Sequence, residues 1–152
     1  MTNKKTFFQV ISLFGTHYFY LPAAALLLKV NTELAINMIL ILVSNDIICG
    51  AIKFAYPKER PIPMPRNTFF QKYLAGSFPS VHTARISAFS IAIISSYTNK
   101  LFILIAFFAI ISVGYSRIYL KKHYFIDVLA GFLIGAFISI LGLNIQNYLN
   151  LY

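Results

Sequence analysis

The sequence predicts an all-α integral membrane helical bundle, with about five transmembrane helices plus a short interfacial helix. Three observations carry that reading. Hydrophobic residues fill 59% of the 152 positions and charged residues only 11%, which in so short a chain points to one compact membrane domain, 1–152. The apolar residues fall in runs of roughly 20 between short polar turns, the length that crosses roughly 30 Å of hydrocarbon. Five of the six prolines crowd into or beside one stretch, Tyr56 to Phe78, and that density excludes a continuous helix there.

Thr6 to Leu28 carries no formal charge and forms the first span. His17 inside it reads as a packed or interfacial residue rather than a ligand. Lys4 and Lys5 resemble a basic leader, yet the apolar run is long enough to span and lacks a small-residue cleavage site, so a signal peptide is not expected. Lys29 to Glu33 is a polar turn in which Asn31 or Thr32 caps the next helix. The second span, Leu34 to about Ala55, holds Asp46. An acid at such depth is costly and turns towards a partner; Lys53, seven residues on, shares its face and is the expected one. Within the proline-rich loop, Asn67 to Leu74 forms the interfacial helix, carrying Phe69, Phe70 and Tyr73 towards lipid. The third span starts at Pro79-Ser80 and reaches about Tyr97, the fourth covers Leu101 to about Tyr119, and the fifth runs from about Tyr124 to Leu143. Gly131 and Gly135 in the last are spaced for close helix approach.

The net charge of +9 implies an anionic partner, either lipid headgroups or a phosphorylated substrate. Nucleic acid is not expected, because the basic residues are scattered at segment ends. Cys49 is the single cysteine, so neither a disulfide nor a cysteine-rich metal site is available. With four acids in all, no metal and no cofactor is expected.

Alternating spans place the end of the second, the start of the third and the junction of the fourth and fifth at one membrane face. The polar residues collect there: Lys53 with Arg60-Pro61, then Pro79-Ser80-Val81-His82, then Arg117 with His123 and Asp127. Lys53, Arg60 and Arg117 can neutralise phosphoryl oxygens. Ser80 begins a helix, so its hydroxyl and the free N–H groups of Val81 and His82 make an anion site. His123 and Asp127 stand four residues apart, one helical turn; the carboxylate there can fix the imidazole tautomer and leave the other nitrogen as nucleophile or base. Each piece also has a plainer reading. Lys53 can snorkel to the interface, Ser80 can be an N-cap only, and the segment from Ser116 to Asp127 can be a basic membrane-interface segment. The plainer readings do not predict all three groups at one face.

Together these residues resemble the three-part signature of the type 2 phosphatidic acid phosphatase (PAP2) family, which shares its active site with vanadium haloperoxidases. The resemblance covers a catalytic core of about 35–145. It implies a membrane lipid phosphatase or diphosphatase in which His123 forms a phosphohistidine, Asp127 orients it and His82 protonates the leaving group. By the same resemblance Lys53, Arg60, Ser80, Val81 and Arg117 bind phosphate. Val81 replaces the family's usual glycine, which keeps the backbone N–H but is expected to narrow the pocket. Members commonly have six spans, and by this resemblance the present sequence is expected to hold five, without the first. Arg85, three residues after His82, is a candidate substrate contact or a partner for Asp46. The stretch Ser77 to Arg85 is similar to branches acting on isoprenoid diphosphates, so a polyprenyl diphosphate is the favoured substrate. The alternatives are phosphatidate, phosphatidylglycerophosphate or lipid A phosphates, or a non-catalytic lipid-phosphate binding or transport protein. Eleven of the thirteen lysines and arginines fall on the active-site face, which by the positive-inside rule favours the cytoplasm. The family resemblance favours the outer face of the cell membrane, and that is the expectation adopted.

Overall fold

The computed structural model describes residues 2–149, so residues 1 and 150–152 of the expected 1–152 domain lie outside the described residues. Every regular element among them is helical: α1 (Thr2–Leu13), α2 (His17–Val30), α3 (Thr32–Ala55), α4 (Phe69–Ala75), α5 (Val81–Ser96), α6 (Lys100–Tyr119) and α7 (Phe125–Leu149). The all-α membrane bundle follows the apolar runs. α3, α6 and Phe125–Tyr148 of α7 are long and apolar enough to cross a membrane, and a fourth crossing exists if α1 and α2 count as one bent span. Large apolar side chains such as Phe107, Leu133 and Phe137 face outward, as a lipid-facing surface requires.

α5, the expected third span, is the centre of the bundle and packs against α3, α6 and α7. Its 16 residues rise only about 24 Å, short of a free-standing span. Small residues line it, and Ala84, Ser87, Ala88, Ser90 and Ala92 are all buried. α7 meets it backbone to backbone at Gly131 and Gly135, where an added Cβ would run into the carbonyl oxygens of Ser80 and Ala84. That is the close approach that small residues allow.

The first expected span is broken. α1 and α2 meet at a 41° bend, across Phe14 to Thr16. Side-chain bonds add to the backbone turn at the break: Thr16 Oγ1 donates to the Leu13 carbonyl at 2.6 Å and Tyr20 Oη to the Phe14 carbonyl at 2.5 Å. Gly15 at its apex lies against His82, and a Cβ there would stand 2.6 Å from the His82 Cβ. α1 then leans on the end of α6, with the rings of Phe8 and Tyr119 4.2 Å apart.

The caps are local. Asn31, rather than Thr32, accepts from Leu34 N–H at 2.9 Å and starts α3. Thr68 and Gln71 form a capping box that starts α4, and Phe69 of α4 stacks on Phe54 at 4.6 Å. The interfacial helix is thereby fastened over the end of α3.

Candidate active site

Four helix ends and the proline-rich loop enclose a cavity of about 340 Å³. Lys53, Arg60, Val81, His82, Arg85 and His123 line it, together with His17 and Asp46. Each of the three groups separated in the sequence thus contributes to the lining, whereas Ser80, Arg117 and Asp127 lie outside it.

The cations are held in an unusual way. Lys53, in the last turn of α3 and 3% exposed, donates its Nζ to the Gly76 carbonyl. Arg60 is spread over three carbonyls: Nε on Leu74 at 3.0 Å, Nη1 on Lys122 at 3.2 Å and Nη2 on Gly76 at 3.4 Å. Arg117, in the last turn of α6, gives Nη1 to the Ser12 hydroxyl and leaves a buried Nε without a partner. None of the three has a carboxylate within ion-pair distance among the described residues. Burial lowers the Arg60 pKa from its usual value. Buried charge without a counter-charge is costly, and an anion in the cavity would offset that cost for Lys53 and the half-buried Arg60, which line it.

His123 lies in the turn between α6 and α7, 3% exposed, not on a helix as the four-residue spacing implies. Lys121 just before it adopts the left-handed conformation, φ 53°, and turns the chain so that α7 begins only at Phe125. The i,i+4 contact is correspondingly loose, with His123 Nδ1 3.9 Å from Asp127 Oδ2. Nδ1 instead lies 2.7 Å from the Ser77 carbonyl oxygen. A carbonyl can only accept, so Nδ1 carries the hydrogen and Nε2 keeps its lone pair. Burial, followed by the charges of Arg60, Arg117 and Lys53, holds the ring pKa well below 6.5.

Asp127 is fully buried and has other partners. It accepts from Lys58 Nζ at 2.6 Å, from Tyr124 N–H at 2.9 Å and from the Ser77 hydroxyl. The carboxylate thus braces the residue whose carbonyl orients His123. Lys58 reaches it alongside the Tyr124 ring, 4.7 Å from the centroid.

The start of α5 departs from the expectation in detail. The Ser80 side chain forms no cap; its hydroxyl pairs with that of Thr83 at 3.0 Å, and its N–H donates to the Asp127 carbonyl at 2.9 Å. The N–H groups of Val81 and His82 belong to the first turn, where a helix supplies no acceptor. Val81 is not among the positive-φ residues, so its backbone is one that any residue adopts. Its side chain is buried against Cys49 and Ala84 and forms part of the cavity wall.

The expected Asp46–Lys53 pair does not form. Asp46 binds Arg85, Nε to Oδ1 at 2.7 Å and Nη2 to Oδ2 at 3.0 Å, because α5 packs alongside α3 while Lys53 is drawn up to the loop. Arg85 Nη2 also lies 2.7 Å from His17 Nε2, so His17 belongs to this cluster. Sequence reasoning missed Ser12, His17, Lys58 and Ser77. Each is an ordinary polar residue whose hydrogen bonds described above reach 46 to 105 positions along the chain, and no local pattern marks it.

Fold and cavity together define a helical membrane protein with a cationic pocket lined by three histidines. The PAP2 superfamily model matches residues 34–151, and the chain belongs to that superfamily. It is 28% identical over 141 residues to an undecaprenyl-diphosphatase of Sulfolobus acidocaldarius, covering 90% of this chain and 68% of that one. Among solved structures, Aquifex aeolicus LpxE matches with a TM-score of 0.81 at 24% identity, over 95% of this chain and 87% of that one. The first transmembrane PAP2-type phosphatidylglycerolphosphate phosphatase from Bacillus subtilis matches with a TM-score of 0.77 at 20% identity, over 97% and 79%.

Proposed function

We propose that this PAP2 membrane lipid phosphatase hydrolyses a polyprenyl diphosphate by phosphoryl transfer to His123. The observation that carries the reading is the trio Lys53, Arg60 and Arg117, of which Lys53 and Arg117 are buried and Arg60 half-buried, without carboxylate partners among the described residues and accompanied by a buried histidine whose Nδ1 is engaged by the Ser77 carbonyl. The similarity to an undecaprenyl-diphosphatase supports the choice of lipid.

His123 Nε2 attacks the terminal phosphorus, helped by the Nδ1–H bond to Ser77. The trio and the first-turn N–H groups of Val81 and His82 stabilise the charge on the equatorial oxygens. The bond to the bridging oxygen breaks with its electron pair, and His82 protonates that oxygen. Water then attacks the phosphohistidine, His82 takes its proton, and phosphate leaves. The three cations supply the charge neutralisation that a metal ion supplies elsewhere.

The test is phosphate release by the purified protein from undecaprenyl diphosphate, farnesyl diphosphate, phosphatidate and phosphatidylglycerophosphate. The diphosphates are expected to turn over fastest. Absence of turnover in both the wild type and Val81→Gly, with phosphate binding retained, would instead make the protein a binder or transporter. The His123 environment sets the pH dependence. Its folded-state pKa is depressed, so the ring stays neutral as pH falls through 6.5. The acidic limb of kcat/KM, which reports the free enzyme, is therefore expected below 6.5, and a limb above it would contradict a neutral nucleophile.

We place the cavity at the outer face of the cell membrane, following the family resemblance over the charge count, since several of the counted cations line the cavity. Glu59 is exposed in the loop and the native Cys49 is buried. Glu59→Cys in intact cells is thus expected to react with a membrane-impermeant thiol reagent; labelling only after lysis would put the site inside.

A further inference from the structure

We propose that His17 and Arg85 form a second anion subsite, which takes the lipid-linked phosphate of a diphosphate substrate. The inference rests on the phosphatase reading above and adds to it the element that distinguishes diphosphates from monophosphates.

His82 marks the side of the cavity from which the leaving oxygen departs. Arg85 follows it by three residues, about 4.5 Å along the axis of α5, and lines the same cavity with His17 and Asp46. Whatever is attached beyond the leaving oxygen meets this cluster. In a monophosphate ester that group is an uncharged alkyl chain. In a diphosphate it is a second phosphate, which leaves as an anion and needs cationic or N–H donors.

The cluster is arranged to provide them. Asp46 holds one edge of the guanidinium, through Nε and Nη2, and balances its charge. Nη1 reaches the Gly15 carbonyl at 3.4 Å, and of the five donors one Nη1 hydrogen has no partner among the described residues. His17 is the exposed member, with 58% of its side chain accessible, and its Nε2 lies 2.7 Å from Arg85 and 3.3 Å from Asp46 Oδ2. Its ring is the group able to turn an N–H towards an arriving phosphate while Arg85 stays fixed. His17 reaches the cavity only because the first helix breaks at Gly15, so the broken span becomes a specificity element.

The test goes through His17, because removing Arg85 would leave Asp46 without its buried cation. Farnesyl diphosphate and farnesyl monophosphate share one tail, and the readout is the ratio of their kcat/KM values with the full chain in detergent. The wild type is expected to favour the diphosphate. His17→Ala is expected to lower the ratio about tenfold or more, and His17→Gln, which restores an N–H donor, to recover most of it. A ratio unchanged in His17→Ala, or both rates falling together, would overturn the subsite and leave the phosphatase reading standing. If the wild type hydrolyses neither lipid, the phosphatase reading fails and the subsite with it.

Discussion

Replacing His123 by alanine is expected to lower phosphate release by on the order of 10³-fold or more, as removal of a nucleophile does in other covalent enzymes, without unfolding the protein. Among the described residues the ring makes one hydrogen bond, to the Ser77 carbonyl. Leaving the buried Ser77 carbonyl unpaired costs about 1–3 kcal/mol, and the other supports of the cavity remain: Asp127 still joins Lys58, Ser77 and Tyr124. Orthovanadate, which adopts the five-coordinate shape of the transition state, is expected to inhibit the wild type. The check is a phosphate-release assay beside a melting curve in detergent. Unchanged turnover in a folded variant would remove His123 from the chemistry.

Gly135→Val is expected to have the largest effect on folding. An added Cβ would meet the Ala84 carbonyl carbon at 2.9 Å and its Cα at 3.0 Å, which are backbone atoms that cannot swing aside. α5 and α7 must separate, at a cost of about 3 kcal/mol or more. Because α5 carries His82 at its start, activity should fall with stability. Gly50→Ala is the contrasting case. The nearest atom to its Cβ is Tyr73 Cε2 at 3.6 Å, ordinary contact, so alanine should stabilise α3 by about 0.5–1 kcal/mol. Detergent melting of both variants tests the pair; equal behaviour would contradict the tight α5–α7 crossing.

What could be read from the sequence was whatever depends on local pattern. Apolar runs located the helices, and the spacing of Gly131 and Gly135 anticipated the crossing on α5. The residues Lys53, Arg60, His82 and His123 were legible because alternating spans force their ends to one face, and they line one cavity. Pairings across the bundle were not legible. Asp46 and Lys53 share a helix face, yet Arg85 of a neighbouring helix lies closer to the carboxylate and outcompetes a lysine drawn away by Gly76. The spacing of His123 and Asp127 suggested a helical contact, but the left-handed Lys121 places the histidine before the helix and gives its Nδ1 to Ser77. The break at Gly15 was hidden because an unbroken apolar run looks the same in sequence whether or not His82 packs against its middle.

The most direct measurement follows the phosphoryl group itself. Wild-type protein mixed with farnesyl diphosphate labelled in its terminal phosphate, quenched in base within one turnover and digested, is expected to carry acid-labile label on the peptide containing His123. Label on another residue, or none while phosphate is released, would contradict attack by His123.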